Sequence, residues 1–312
     1  LELRSLITPE GELRLSVEEL ELAAPGADEV VVRIDAAPLN PSDLGLLLGP
    51  ADMATLATSK ASGRAITTAK IPPQLVSRVA ARAGKSLPIG LEGAGVVVDA
   101  GENAKHLVGK VVAAFGDAMY TRYRKLRAID VLPMPECVTP EQGASAFVNP
   151  LTALGMVGTM RLEGHTALVH TAAASNLGQM LNRLCIAEGV ALVNVVRSAE
   201  QAETLKAIGA KHIVDSTSAE FQKQLVAAIT ETGATLGFDA VSGGPLAGQI
   251  LAAMEAALVA KNPSVGQYGS PVHKQVYVYG RLDLSPTTIS PAVGMTWGMG
   301  GWLLSNHLKR IG

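Results

Sequence analysis

The pattern of apolar and polar positions changes about halfway along the 312-residue chain. In the first ~130 residues, short apolar runs are broken by Gly and Pro, which is typical of β-strands. The clearest of these runs are Gly11–Glu21, Glu29–Asp35 and Gly93–Asp99. From about Leu151 onward, strand-like runs alternate with segments of helical spacing, which predicts a parallel sheet flanked by helices. The sequence therefore predicts a β-rich domain followed by an α/β domain.

The α/β half opens on a strand, turn, helix and strand between Ala167 and Arg197. Ala167–His170 is a short apolar run, and Ala191–Val196 is a β-branched run. Between them, apolar residues recur at helical spacing. The whole unit has about the length of one dinucleotide-binding βαβ unit. A helix that starts where a strand ends points its free N–H groups into the gap, so this turn is a candidate phosphate site.

The same patterning predicts further elements beyond this unit. The predicted strands are Lys211–Val214, Leu236–Val241, Val265–Tyr268 and Gln275–Gly280. The predicted helices are Ser218–Thr230, with Thr217 and Glu220 as a capping box, and Leu246–Ala260. Alternation of this kind continues the parallel sheet.

The turn carries a degenerate glycine fingerprint. The three positions of G-x-G-x-x-G are Ala173, Ser175 and Gly178, so only the last is glycine. The second strand of the unit ends on Arg197, where an arginine accommodates the 2′-phosphate of NADP and an acid would bind the ribose of NAD. The sequence predicts NADPH as the cofactor. Taken alone, the motif also fits a βαβ unit without a ligand.

Residues 51–86 match neither the pattern of the β-rich half nor that of the α/β half. The segment is polar, rich in small residues, and carries six Lys or Arg residues from Lys60 to Lys85. We interpret it as an exposed, mobile loop, with a partly helical lid over the substrate as the alternative.

Composition narrows the class of protein. A formal net charge of −2 gives no basic surface for nucleic acid. No apolar run reaches the ~18 residues of a membrane span, and the N-terminus has no signal-peptide layout. Two cysteines, Cys137 and Cys185, cannot form a metal cluster by themselves. These features predict a cytoplasmic protein.

Several runs in both halves resemble the medium-chain dehydrogenase/reductase superfamily, and most of all its zinc-free quinone reductase and 2-enoyl thioester reductase branches. The similar runs keep the family's order along nearly the whole chain. They are Ala37–Asp43, Gly90–Val97, Val148–Ala153, Val193–Arg197, Ile208–His212 and Phe238–Val241.

The resemblance implies a GroES-like β-barrel domain and a Rossmann domain. We place the barrel at 1–135, with an insertion at about 51–86, and the NADP-binding Rossmann domain at 136–281. The family then returns the chain to the barrel, so 282–312 is expected to be the start of a truncated return. The family also implies a homodimer.

The family's zinc enzymes need three metal ligands, which this chain does not supply. The corner from Asn40 to Asp43 offers no Cys, and Leu91 stands where a His is expected. Hydride delivery to an electron-poor quinone or other α,β-unsaturated carbonyl is therefore the predicted reaction. Enoyl thioester reductases of the family use a tyrosine just after this corner, but Leu44–Met53 contains none. Enoyl-CoA reduction is the alternative, and an NADPH-binding sensor or scaffold without turnover is another.

The resemblance also implies site residues, although it assigns no certain catalytic residue. Asn40 and Asp43 would shape the substrate pocket, or else form only a helix cap and turn. Glu92 is expected to be a buried structural acid, and His170 a packed residue. The Gly298–Trp302 run resembles a segment that closes over the nicotinamide, but its glycines could equally form a turn.

The resemblance also implies which residues contact each part of the cofactor. Nicotinamide contacts are Asn149 and Thr152 (capping being the alternative) with Tyr268 and Gly269, and the adenosine contact is Ser242. The pyrophosphate would lie on Thr171, Ala173, Ala174, Ser175, Asn176, Leu177 and Gly178. Arg197 and Ser198 would hold the 2′-phosphate, the alternative being a solvated surface arginine.

Overall fold

The computed structural model describes residues 1–61, 63–262 and 266–311. The chain forms two compact units, Leu1–Val148 and the chain from Asn149 onward. The division falls later than the expected boundary after residue 135. Residues beyond 135 stay with the first unit because Ala144, Ala146 and Phe147 pack on Ala94 and Ala113.

The first unit is β-rich, as predicted. Its strands and helices in chain order are β1 (Glu2–Ile7), β2 (Glu12–Glu18), β3 (Glu29–Ala36), α1 (Pro41–Leu47), β4 (Ala57–Ala61), β5 (Arg64–Lys70), α2 (Pro73–Val76), β6 (Ser86–Pro88), β7 (Glu92–Ala100), β8 (Val111–Phe115), β9 (Tyr123–Arg127), β10 (Val131–Pro133) and α3 (Pro140–Gly143).

Two five-stranded antiparallel sheets build this unit, in the orders β4-β5-β2-β1-β6 and β10-β8-β7-β3-β9. Alternate residues of the apolar strands supply the core of the second sheet, as expected for strands with one buried face. Val30 and Val32 of β3 lie in that core beside Val97 of β7 and Val112 of β8.

The interpretation of residues 51–86 as an exposed, mobile loop was wrong. β4 and β5 form a hairpin, and β5 extends the first sheet by pairing with β2 from Glu12↔Lys70 to Ser16↔Ile66. Two apolar residues of this segment, Ile71 and Val79, are buried against Ile7 and Leu13. The strands of this segment therefore hydrogen-bond within a sheet, and its apolar side chains pack in the core.

The second unit alternates helices and strands. Its elements are α4 (Val148–Leu162, whose first residue belongs to the first unit), β11 (Ala167–His170), α5 (Asn176–Ala187), β12 (Ala191–Val196), α6 (Ala199–Ala207), β13 (His212–Asp215), α7 (Phe221–Thr232), β14 (Leu236–Asp239), β15 (Ser242–Gly244), α8 (Leu246–Lys261), β16 (Lys274–Val278), β17 (Asp283–Thr287), β18 (Trp297–Gly301) and α9 (Leu304–Ile311). The βαβ unit predicted at Ala167–Arg197 is confirmed.

Six of these strands form one parallel sheet in the order β13-β12-β11-β14-β16-β18. Alternate residues of β11 feed different cores, because successive side chains of a strand point to opposite faces. Ala167 and Val169 pack with α7 and α8, whereas Leu168 packs with α4 and α5. Helices thus cover both faces, which confirms the predicted Rossmann-type sheet. None of the helices in the described part of the chain has the length and apolar character of a membrane span.

Three local predictions in this unit were wrong. No strand forms at Gly266–Tyr268, which lies in a turn, and Val265 is outside the described residues. Thr217 and Glu220 form no capping box, since the Thr217 hydroxyl donates to Asp215 instead and α7 begins only at Phe221. The glycines of Gly298–Trp302 do not form a turn, whereas the closing of this run over the nicotinamide stays a prediction. Most of the run is the edge strand β18, in parallel register with β16.

A buried ion pair joins α8 to the first residue of β16. Lys274 has no exposed surface, and its ammonium contacts the Glu255 carboxylate, which is also buried. Glu255 accepts a second hydrogen bond from the Ser270 N–H at 2.7 Å. Gly269 and Gly294 lie so close that a Cβ on either would collide with this carboxylate. The pair is therefore enclosed on several sides.

Lys274→Met is expected to lower the free energy of unfolding by about 3–5 kcal/mol, because it leaves a carboxylate buried without its cation. The double variant Lys274→Met/Glu255→Met should recover most of that loss, since no unpaired charge stays behind. Denaturant titration measures both. As a control, Lys223→Met removes the cation of an exposed pair with Glu220 and should leave stability unchanged. Equal effects of Lys274→Met and the double variant would contradict this prediction.

Candidate functional site

The order of the parallel sheet points to one place for a ligand. From β11 the chain adds β12 and β13 on one side, then crosses back to add β14, β16 and β18 on the other. Ligands of open parallel sheets bind outside the carboxyl ends of the strands, where the order reverses. That place is the crevice between the ends of β11 and β14, so the residues after His170 and Asp239 form the candidate site.

The turn after β11 is compact and feeds directly into α5. Ser175 caps the helix, its Oγ accepting from the Gly178 N–H at 3.1 Å. The Gln179 side chain closes the turn by donating to the Ala174 carbonyl at 3.0 Å. Ala173 is buried, while Ser175 and Asn176 are exposed at the start of the helix. The first amides of α5 therefore face the crevice end of the unit, as a phosphate site requires.

Gly178 is the one glycine of the fingerprint that the packing demands. A Cβ at this position would collide with the Ala173 carbonyl. The neighbouring Leu177 is buried in the core beneath α5. The other two fingerprint positions, Ala173 and Ser175, tolerate a side chain in this geometry, which explains why the motif is degenerate.

Arg197 lies at the end of β12 with an exposed side chain. Its backbone N–H donates to the Gln201 side chain at 3.1 Å, and Ser198 caps α6 by accepting from the Gln201 N–H at 3.3 Å. Gln201 therefore fixes the backbone of Arg197, and the Ser198 hydroxyl is engaged as a cap. None of the ion pairs within residues 1–61, 63–262 and 266–311 involves the Arg197 guanidinium.

The crevice is bordered by the turn that begins at Thr171 and by the residues that follow β14. The buried Thr171 hydroxyl donates to the Asp239 carboxylate at 2.7 Å. Ser242 lies three residues beyond Asp239 and has a left-handed backbone, with φ 74°. Sequence reasoning named Thr171 and Ser242 but missed Asp239, which joins them.

Tyr268 and Gly269 do not lie at this edge. They precede β16, so they lie at the amino end of a strand whose carboxyl end belongs to the crevice edge. The residues that do follow β16 are Tyr279 and Gly280, a second Tyr-Gly pair eleven residues further along the sequence. The prediction took the first pair because it put the fifth strand too early.

Tyr279 contacts a buried histidine. His170 Nε2 and the Tyr279 hydroxyl lie 2.7 Å apart, and the two rings stack. Burial lowers the pKa of His170 to about 3, and it raises the pKa of Tyr279 above its usual range. His170 is therefore a neutral packed residue, as expected, and the Tyr279 phenol stays protonated.

Asn149 and Thr152 lie in the first turns of α4, and Thr152 is buried. Both have interactions of their own within the protein. The structure thus places both residues at the start of a helix, and their contact with the nicotinamide stays a prediction.

Within the first unit, the corner before α1 is held by buried polar groups. Asn40 Nδ2 donates to Glu92 Oε1 at 2.9 Å, and Glu92 Oε2 accepts from the N–H groups of Phe147 and Val148, each at 2.9 Å. Asp43 accepts from the Asn40 N–H at 2.8 Å and from the Leu91 N–H at 3.1 Å. Glu92 has no exposed surface, so it is the structural acid that the sequence suggested. The Asn40 amide and the Asp43 carboxylate both hold this corner together.

No family model matches the chain. Among curated proteins, it is 28% identical over 227 residues to the synaptic vesicle membrane protein VAT-1 homolog of Rattus norvegicus, covering 70% of this chain and 48% of that protein. It is 27% identical over 217 residues to the mitochondrial enoyl-[acyl-carrier-protein] reductase of Bos taurus, covering 67% of this chain and 50% of that enzyme. The chain thus spans about half the length of these curated relatives.

Solved structures match nearly the whole chain. A Mesorhizobium loti protein assigned as an NADPH:quinone reductase superposes with a TM-score of 0.68 at 27% identity, covering 99% of this chain and 83% of that one. The Escherichia coli quinone oxidoreductase has the same fold, with a TM-score of 0.64 at 17% identity, and covers 98% of this chain against 82% of its own.

The sequence resemblance, the two-part fold and these neighbours agree. The chain is similar in sequence and in fold to quinone oxidoreductases and enoyl reductases, the branch of the medium-chain dehydrogenase/reductase superfamily that its motifs resemble.

Proposed function

We propose that this chain is a zinc-independent oxidoreductase that uses NADPH to reduce a quinone or another α,β-unsaturated carbonyl compound. One observation carries the proposal. The turn at Thr171–Gly178 and the exposed Arg197 follow two neighbouring parallel strands, β11 and β12, paired from Ala167↔Ala191 to His170↔Asn194. A phosphate-binding turn and a cation for a second phosphate therefore stand at the same edge of the sheet.

The turn fits a dinucleotide pyrophosphate. The residues approaching the crevice are small, and α5 begins at the turn with its first amides unpaired within the helix. Gly178 lets the turn pack against the helix where a side chain would force it out of place. The helix dipole and these amides favour an anion without needing a basic side chain.

Arg197 supplies the preference for NADPH over NADH. Its guanidinium is exposed at the end of β12, where the adenosine ribose of a bound dinucleotide lies. A guanidinium can pair with phosphate through two hydrogen bonds, which makes a strong charge-assisted contact. The Escherichia coli quinone oxidoreductase neighbour and a mycobacterial neighbour are complexes with NADPH, which supports this choice of cofactor.

The acceptor follows from what the chain offers for the chemistry. Bound NADPH supplies the hydride. Asn40 and Asp43 are engaged in holding the corner before α1 together. Leu91 stands where the family's zinc enzymes carry a His, so these positions do not supply a zinc ligand set. An acceptor that is already electron-poor needs no metal to polarise it, and a quinone product can be protonated by solvent. A homodimer stays a prediction of the family resemblance, and a cytoplasmic location stays a prediction from the sequence composition.

Arg197→Ala is expected to weaken NADPH binding by about 10- to 100-fold and to leave NADH binding unchanged, because only NADPH carries the 2′-phosphate. Fluorescence titration with each nucleotide measures both dissociation constants. Arg183→Ala is the matched control, since it removes an exposed arginine of α5 in the same unit. If Arg197→Ala changes the affinities for NADPH and NADH equally, the assignment of Arg197 is wrong.

Gly178→Ala is expected to weaken NADPH and NADH binding alike, by about tenfold or more, because the new Cβ must displace the turn at the Ala173 carbonyl. Gly301→Ala is the control, since a Cβ at Gly301 meets no atom within 4 Å. The same titrations apply. Unchanged binding in Gly178→Ala would show that the pyrophosphate does not rest on this turn.

NADPH oxidation against quinones, simple enones and enoyl-CoA thioesters tests the acceptor. We expect turnover with quinones and enones and slower turnover with enoyl-CoA, because residues 44–53 carry no tyrosine to donate a proton. Fast enoyl-CoA turnover would favour the enoyl reductase alternative, which the bovine relative and a neighbouring complex with NADP and crotonyl-CoA also represent. Tight NADPH binding without turnover on any acceptor would leave the sensor or scaffold alternative.

A further inference from the structure

One buried carboxylate connects the two strands that flank the crevice. Thr171, the residue after β11, and Asp239, the last residue of β14, both have no exposed surface. The Thr171 hydroxyl donates to Asp239 Oδ1 at 2.7 Å and accepts from the Ala240 N–H at 2.8 Å. The Thr171 N–H donates to the Phe238 carbonyl at 3.1 Å. Thr171 is therefore fixed by three hydrogen bonds to β14 and to the residue that follows it.

The same carboxylate holds the loop that leaves β14. Asp239 Oδ1 also accepts from the Val241 N–H, and Oδ2 accepts from the Ser242 N–H, both at 2.9 Å. We call Thr171, Asp239 and the three following backbone amides the Asp239 cluster. Within the described residues, the donors to this carboxylate belong to the two turns that border the crevice, so Asp239 is placed to act on a ligand through those turns.

Both turns contain a strained backbone next to the cluster. Ala172 has φ 52° and Ser242 has φ 74°. Within the ranges that the structure describes, only one other non-glycine residue, Ala118, has a positive φ. A left-handed backbone is unfavourable for a residue with a Cβ and persists where surrounding contacts enforce it. The hydrogen bonds that follow β11 and β14 hold the backbone of residues 172 and 242 in this left-handed conformation.

We propose that Asp239 is a positioning residue for the cofactor, which keeps the turns after β11 and β14 in the one arrangement that receives the dinucleotide. The inference rests on the proposed binding of NADPH. A site held in its bound conformation does not spend binding energy on ordering itself. Asp239 thus sets affinity without touching the cofactor.

Asp239→Asn is the principal test, because the side-chain nitrogen of Asn cannot accept the hydrogen bonds that one carboxylate oxygen accepts. At a temperature where the variant is fully folded, we expect its Kd for NADPH to rise about tenfold. Hydrogen exchange without any nucleotide should speed up at the amides of Ala173, Ser175, Val241 and Ser242. Thermal unfolding is measured on the same samples.

Glu255→Gln separates positioning from general stability. It makes the same chemical change in a buried carboxylate of this unit, but at the opposite edge of the sheet, against Lys274 and Ser270. We expect it to lower the Tm while leaving the Kd for NADPH within about twofold of the wild-type value. Asp239→Asn should raise the Kd even if its Tm falls less than that of Glu255→Gln.

Thr171 gives a second test that does not alter the carboxylate. Thr171→Val removes the hydroxyl at constant shape and should raise the Kd as Asp239→Asn does, whereas Thr171→Ser keeps the hydroxyl and should restore wild-type binding. If Asp239→Asn does not fold, this pair decides the question.

The results distinguish this inference from the proposal on which it rests. A wild-type protein that binds no NADPH overturns both. Wild-type binding together with unchanged Kd and exchange in Asp239→Asn and Thr171→Val overturns only the role of Asp239. A rise in Kd that merely follows the loss of Tm, with Glu255→Gln showing the same relation, also overturns it.

Discussion

Parallel pairing of β11 with both β12 and β14 is the constraint on which the candidate site depends. Parallel strands end at the same edge of a sheet, so pairing alone brings Thr171, Arg197 and Asp239 together although they are far apart in sequence. Each strand needs a crossover helix to return, and α5, which follows β11, begins at this edge. The geometry of the proposed phosphate site is thus a consequence of how the sheet is wound.

The sequence predicted those parts of the fold in which local pattern and tertiary environment agree. The unit from Ala167 to Arg197 has a buried strand, a capped helix and a second strand with clear boundaries, and the structure confirms each of them. The same reasoning gave the wrong structure for residues 51–86, because their strands form an exposed hairpin with polar side chains. The pairing of this hairpin with β2 depends on residues that are distant in the sequence. Hydrophobic periodicity carries no signal for such a strand.

The site was less predictable than the fold, for two different reasons. Tyr268 and Tyr279 both precede a glycine, and only the position of β16 decides which of them follows a strand. Asp239 was invisible for another reason: its importance lies in which backbone amides surround it, and those are known only once the turns are folded. A family motif that includes Phe238–Val241 pointed to the right segment but could not say which atom mattered.

The glycines of β18 show how a strand with few side chains keeps its alignment. Gly298 lies opposite Gln275, and a Cβ there would collide with the Gln275 side chain. Sliding the strand by one residue in either direction would bring Trp297 or Met299 to that position, where the Gln275 side chain would have to move aside. It would also turn both side chains away from the core that they now cover. The register of β18 is therefore favoured by a missing side chain: it is the register in which the Gln275 side chain of β16 lies opposite a glycine.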